Sequence, residues 1–281
     1  MVSHGRFVWY ELMTTDMAAA KAFYASVVGW DAQDASLPDY AYALFTAASA
    51  PLGGLMELPL DARKMGATPR WMGYVGVDDL EAATGRIGRL GGTVYVPPTN
   101  SNIGRIAVVA DPQGATLALV KGLKHGDRQP ADLSRLGRVG WHELFATDWQ
   151  KVFAFYGEIF GWRKADAEIG SSEIYQLFSA GGRTIGGMFS KRATEPVAFW
   201  LYYFNVDDID AALDRVKLAG GGILEGPLEL SEGIWILRCT DPQGAAFALQ
   251  GKRSRDGVGV GWSSEWSGIS SRGRLVTRPR G

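Results

Sequence analysis

The sequence predicts an α+β fold of four βαβββ modules arranged as two tandem copies, and three observations predict it. Residues 7–30 return as residues 139–162, with Trp9/Trp141, Glu11/Glu143, Asp16/Asp148, Tyr24/Tyr156 and Trp30/Trp162 all separated by 132 positions. Within each copy a strand-like alternation gives way to helical spacing and returns, and the cycle runs twice. Each copy also ends on the same turn, Asp111-Pro112-Gln113-Gly114 and Asp241-Pro242-Gln243-Gly244, ahead of a last apolar run. A repeat this long implies a duplicated folding unit, and 281 residues at 46% hydrophobic are enough for two cores.

The elements follow in order. Residues 7–13 alternate as a strand, Asp16 is a good helix N-cap, and Phe23, Val27 and Trp30 recur at i, i+4 and i+7 until Gly29 ends the helix. Short strands are expected at 42–45 and 54–58, with Gly53-Gly54 and its counterpart Gly186-Gly187 as strand bulges. The order then recurs as a strand at 71–77, a helix at 80–90 ended by Gly91-Gly92, and strands at 93–96, 105–109 and 116–120. The second copy repeats this, with a helix at 209–219 ended by Gly220-Gly221. Expected boundaries are domain one at 5–123, a polar linker at 124–138, domain two at 139–251 and a disordered Gly/Ser/Arg-rich tail at 252–281. The segment 225–232, with three glutamates, reads as a solvated hairpin.

Charge and composition exclude several function classes. Twenty-nine basic and thirty acidic side chains leave a formal net charge of −1, so no global field draws the protein to nucleic acid or to an anionic membrane. The tail carries seven Lys or Arg against two acids, which leaves the rest at −6 and makes a tether to an acidic partner conceivable. The single cysteine, Cys239, cannot form an intramolecular disulfide and reads as a buried strand residue. No run approaches the roughly 18 to 20 apolar residues of a membrane span, and no secretory signal pattern opens the chain, so a cytoplasmic address is expected. Four modules can complete two clefts in one chain, so a monomer or a homodimer is expected.

The sequence resembles the vicinal oxygen chelate superfamily, which includes glyoxalase I, extradiol dioxygenases and fosfomycin and bleomycin resistance proteins. The residues that carry the resemblance are the opening strand leading to Thr15-Asp16 or Thr147-Asp148, the helical Phe-Tyr and Gly-Trp pairs, the Val-Asp-Asp at 77–79 and 206–208, and the Asp-Pro-Gln-Gly turns. The resemblance covers residues 5 to about 250. It implies curved mixed sheets wrapped around clefts, with helices outside, and a divalent metal bound by His or Glu on inward strand faces. The positions it points to hold Trp9 and Trp141, Met72 and Leu201, and Ala118 and Ala248; only Glu57, opposite Ser190, retains a ligating group. About three protein ligands are needed for an open site, so no cofactor is expected. The alternative is one Zn, Ni, Mn or Fe held through His142 and Glu143, if a bulge turns His142 to the cleft. His4 and His125 read as solvated.

Strand alternation places Trp9 with Glu11, and Trp141 with Glu143, on the faces away from the helices. A carboxylate buried under a helix would be costly, so both glutamates are expected to face the clefts. The same alternation adds Tyr74 in the first copy and Tyr203 and Asn205 in the second. The expected ligand-binding set is therefore Trp9, Glu11, Glu57, Tyr74, Trp141, Glu143, Tyr203 and Asn205. Such clefts suit a small aromatic or cationic molecule, bound without metal. The alternatives are an enzyme of lyase, isomerase, hydrolase or dioxygenase type with Glu143 or Glu11 as base, and a partner-binding regulatory protein with vestigial clefts.

Overall fold

The computed structural model describes residues 4–38, 40–47, 50–125, 133–169, 174–192, 197–231 and 233–254. Domain one runs β1 (Phe7–Thr14), α1 (Met17–Val28), β2 (Asp31–Asp34), β3 (Tyr42–Ala47), β4 (Ala50–Glu57), a short α2 (Leu60–Lys64), β5 (Arg70–Gly76), α3 (Leu80–Arg89), β6 (Thr93–Asn100), β7 (Arg105–Ala110) and β8 (Thr116–Lys121). Domain two runs β9 (Val139–Ala146), α4 (Trp149–Phe160), β10 (Arg163–Ile169), β11 (Ile174–Ala180), β12 (Arg183–Ser190), β13 (Phe199–Asp208), α5 (Ile209–Leu218), β14 (Gly222–Ser231), β15 (Ile234–Thr240) and β16 (Ala246–Lys252). The expected caps form: Asp16 and Asp148 accept from Ala19 N at 2.9 Å and Lys151 N at 3.1 Å, while Gly29 and Gly161 end their helices in the left-handed conformation. Strand β2 escaped the sequence reading because Asp31–Asp34 is an exposed edge without alternation.

Among these residues each domain forms one mixed eight-stranded sheet, ordered β2-β3-β4-β1-β5-β8-β7-β6 and β10-β11-β12-β9-β13-β16-β15-β14. Period-two alternation sorts every central strand into two faces. In domain one, Leu12, Phe45, Trp71, Val75 and Leu119 join the core shared with the helices, whereas Trp9, Tyr42, Met72, Tyr74 and Ala118 form a separate cluster on the opposite face. Domain two sorts alike, with Leu144, Trp200 and Phe247 against Trp141, Leu201, Tyr203 and Ala248.

The helix-bearing faces of the two sheets meet, and the repeated motifs close that junction in pairs. Tyr24 of α1 donates to Asp241 at 3.2 Å, and Tyr156 of α4 donates to Asp111 at 2.9 Å. Trp71 and Trp200 donate to those tyrosine hydroxyls at 2.8 and 3.1 Å. Trp30 and Trp162 reach across to the carbonyls of Gly137 and Gly5. Each Asp-Pro-Gln-Gly aspartate thus shapes its own turn with Oδ1, from Gln113 N and Ala115 N or Gln243 N and Ala245 N, and grips the other domain with Oδ2. Buried hydrogen bonds to a charged acceptor contribute about 1.5 to 3 kcal/mol each, so the motif that signals the fold also joins its halves.

Several expectations need correction. The paired glycines are not bulges: Gly53-Gly54 pairs in register with Phe45 and Leu44, and Gly186-Gly187 with Phe178 and Leu177, the irregularity falling one residue beyond. The segment beginning at Glu225 is the outer arm of a hairpin, the end of β14 paired antiparallel with β15 and partly exposed, as expected; Glu232 lies outside the described residues. The fold continues past residue 251, since Lys252 ends β16 and Arg253 makes two 2.7 Å bonds to Asp210. The tail from 255 on, and linker residues 126–132, lie outside the described residues. Cys239 is fully buried, its thiol pushed up to about 12 by burial. Among the described residues no helix is long and apolar enough to cross a membrane.

Candidate ligand clefts

In the first cleft the register of β1 sets the chemistry. Glu11 pairs with Gly54 on one side and Met72 on the other, and Trp9 with Tyr74. Its carboxylate is 4% exposed and accepts from Tyr42 on Oε1 at 2.6 Å and from Tyr74 on Oε2. Gly54 permits this contact: a Cβ there would stand 1.9 Å from the Tyr42 hydroxyl and 2.8 Å from Glu11 Oε1. Burial raises the Glu11 carboxyl above its usual value, against the opposing pull of the two phenols. Tyr42 and Tyr74 are pushed upward in turn, by burial and then by the adjacent Glu11, so both remain neutral donors. Tyr40, donating to Met56 Sδ at 3.0 Å, and His125, with its ring 6.2 Å from Trp9, close over the cluster. His125 is thus half-buried against an indole rather than solvated, whereas His4 is exposed beside Asp78.

The second cleft repeats the frame and adds charge. Glu143 pairs with Gly187 and Leu201, and Tyr203 donates to its Oε2. Tyr175 stands near Glu143, its phenol raised by burial and then by that carboxylate, and accepts from Trp141 Nε1 at 2.8 Å, with Gly187 leaving room for the Tyr175 ring. Arg238 of β15 enters from the side: Nη2 lies 2.8 Å from Glu143 Oε2, Nε donates to Tyr203 at 2.9 Å, Nη1 binds Glu225, and the guanidinium sits 5.0 Å over the Phe145 ring. Burial alone would lower the Arg238 guanidinium, but Glu143, Tyr203 and Glu225 hold it above its usual value. Phe199 stacks on Phe145 at 4.4 Å and Phe189 meets it edge-on at 4.6 Å, which gives the arginine an aromatic floor.

The structure gathers six of the eight residues singled out from sequence in two buried clusters on the sheet faces away from the helices, the candidate clefts: Trp9, Glu11 and Tyr74 in one, Trp141, Glu143 and Tyr203 in the other. Glu57 is not among them. Met56 points into the cleft and Leu55 into the helix-side core, so alternation turns Glu57 away, exposed at the end of β4. Asn205 is committed elsewhere, donating to Leu133 O and Arg135 O of the linker while accepting from Gln250. His142 stays on the helix-side face, because β9 pairs regularly there and no bulge turns it. Its Nδ1 donates to Ile185 O at 2.6 Å, so Nε2 accepts from Tyr10 at 2.5 Å, and burial lowers its pKa to about 4.

Sequence reasoning missed Tyr42, Tyr175, Arg238 and Glu225. The tyrosines were visible as a repeat pair, at a spacing of 133, but their reach depends on the facing glycines. Arg238 lies 130 positions after Val108 and so breaks the repeat, which was the available signal.

The donor set can be tested against the divalent metal that the resemblance implies. Among the described residues no three His, Cys, Asp or Glu side chains come together, and the buried carboxylate of each cleft is already hydrogen-bonded by tyrosine, while Glu225 in the second is paired with Arg238. The strand positions around it hold indole, thioether, isobutyl and methyl groups, a poor donor set for a hard or borderline cation.

Comparisons with known proteins agree with this architecture. Residues 136–249 match the model for the Glyoxalase/Bleomycin resistance protein/Dioxygenase superfamily, and residues 9–120 that for a Glyoxalase-like domain. A Mycobacterium tuberculosis protein named "Putative glyoxylase CFP32" is 30% identical over 244 residues, 86% of this chain and 92% of its own length. Anthracycline biosynthesis protein DnrV of Streptomyces peucetius is 30% identical over 259 residues, 87% and 92% of the two chains. Among solved structures, the Mn(II)-bound glyoxalase from Novosphingobium aromaticivorans superposes with a TM-score of 0.61 at 16% identity, covering 92% of this chain and 86% of that one. The 2,3-dioxygenase LapB from Pseudomonas sp. KL28 also gives 0.61, at 14% identity, covering 93% and 98%. With its duplicated βαβββ sheets and a family match in each half, this chain belongs to the glyoxalase/bleomycin resistance/dioxygenase superfamily, the vicinal oxygen chelate family.

Proposed function

We propose that the chain is a metal-independent binding protein that holds a small aromatic or cationic molecule in its Trp-, Tyr- and Glu-lined clefts. The observation that carries this reading is the pair of clefts in which one carboxylate, clasped by tyrosines, is surrounded by Trp, Met, Leu and Ala where a chelating site would place imidazole and carboxylate. Aromatic walls with a few fixed polar groups suit stacking and cation-π contacts of about 0.5 to 2 kcal/mol each. The relatives named for anthracycline biosynthesis support a planar, polycyclic ligand class. The test is quenching of tryptophan fluorescence by a panel of neutral, anionic and cationic aromatic compounds. Quenching that is lost in Trp141→Ala and Glu143→Gln supports binding in the second cleft; silence across the panel overturns the reading.

A second reading, an enzyme of lyase, isomerase, hydrolase or dioxygenase type with Glu11 or Glu143 as base or ligand, is favoured by one feature. Burial raises the Glu11 carboxyl toward the range useful for proton transfer, with Tyr42 and Tyr74 fixing its two oxygens. Stoichiometric zinc, nickel, manganese or iron in protein purified without added metal would put this reading first.

A further inference from the structure

We infer that the second cleft is an acid-recognition site, in which Arg238 takes the carboxylate or acidic phenol of an aromatic ligand in exchange for Glu225. This deepens the binding reading above and rests on it. The guanidinium has an inner and an outer partner. Toward the sheet, Nη2 is held by Glu143 at 2.8 Å and Nε by Tyr203 at 2.9 Å, both deeply buried. Toward solvent, Nη1 meets Glu225, whose side chain is 33% exposed. That outer partner comes from the edge strand β14, at a point where the pairing with β15 slips on both sides of Glu225. An edge strand with broken register moves at less cost than the central strand that carries Glu143.

The exchange conserves charge. With Glu225 withdrawn, a ligand carboxylate meets Arg238 at Nη1, and Arg192, 3.9 Å from Glu225, flanks the same position. The ring of the ligand then lies beside the guanidinium against the half-buried Phe189 and Phe199, which with Arg238 already cover the buried Phe145. The first cleft cannot do this. Its counterparts of Glu225 and Arg238 are Val96 and Val108, paired on β6 and β7, so the acid specificity belongs to one half of the duplication.

The test uses the full chain and two probes with one ring and opposite charge, 2-naphthoate and 2-(aminomethyl)naphthalene, with binding read by calorimetry. The expected result is naphthoate at least about tenfold tighter than the amine. Glu225→Gln, which removes the competing carboxylate from a partly exposed position, is expected to tighten naphthoate several-fold; Arg238→Lys, which keeps the charge but loses the fork, is expected to erase the preference. Preference for the amine, weaker naphthoate binding in Glu225→Gln, or no binding of either probe overturns the inference. If other panel compounds still quench the tryptophans, the broader binding reading survives that failure; if none does, both fall.

Discussion

The two clefts start from the same residues and end with different chemistry. In each, a Trp-x-Glu strand is faced by a glycine, and tyrosine hydroxyls bond the carboxylate, Tyr42 and Tyr74 on Glu11 and Tyr203 on Glu143 with Tyr175 beside it. In the first cleft nothing but phenols answers Glu11 among the described residues, and burial raises its pKa. In the second, Arg238 and Glu225 replace two valines and turn a neutral clasp into a charged network. The lesson is that duplication preserved the means of burying a carboxylate, while two substitutions on neighbouring outer strands decided whether it stays solitary. The junction shows a parallel divergence: His142 and its repeat counterpart Tyr10 meet across the pseudo-symmetry as acceptor and donor.

The contrast can be broken most directly at Arg238. Arg238→Met leaves Glu143 buried without a cation, and such a change costs about 3 to 5 kcal/mol. If urea unfolding shows a loss nearer 1 kcal/mol, the tyrosines alone support a buried carboxylate in both halves, and the clefts are energetically alike. At the junction, the His142 pKa of about 4, against 6.5 for the free side chain, means that the neutral ring is the folded form. Stability from this residue is complete above pH 6.5 and is lost as pH falls toward 4, about 3 kcal/mol in all. Urea midpoints at pH 7 and pH 4.5 should differ less in His142→Gln than in the wild type.

Smaller effects compare the clasp itself. Gly54→Ala and Gly187→Ala should each cost about 1 to 3 kcal/mol by overpacking against Tyr42 and Tyr175. A thermal shift in only one of them would show that the clasp matters in one cleft alone. Glu11→Gln tests the solitary carboxylate. A raised folded pKa favours the protonated acid, so its stabilisation is present below about pH 4.5 and is lost as pH rises through the folded value. The variant should therefore flatten stability against pH between mildly acidic and neutral conditions, in the sense opposite to His142→Gln.

Much of the fold was legible in the sequence because its signals are local. The Asp16 and Asp148 caps, the Gly29 and Gly161 helix ends and the alternation of residues 7–13 each depend on neighbours within a turn. Period two put Trp9 with Glu11, and Trp141 with Glu143, on one face, and the cost of burying a carboxylate under a helix chose the face away from the helices, where the structure has them. Glu57 was not placed by alternation. It was singled out as the ligating residue on the strand after the glycine pair, but Met56, one residue earlier, takes the inward face, and one residue reverses the face. Asn205 lies on the expected face, but its amide binds the linker, a partner separated by some seventy positions.

The sequence by itself determined the duplication, the module order and the apolar character of the places where a chelating cleft would carry ligands, because these are matters of residue type and short-range period. Only the tertiary structure decided that Asp111 and Asp241 hold the opposite domain, that Gly54 and Gly187 let a tyrosine reach a glutamate, and that Arg238 and Glu225 make one cleft charged and leave the other neutral. Those outcomes depend on which strands lie side by side and in what register, and register couples residues tens to hundreds of positions apart.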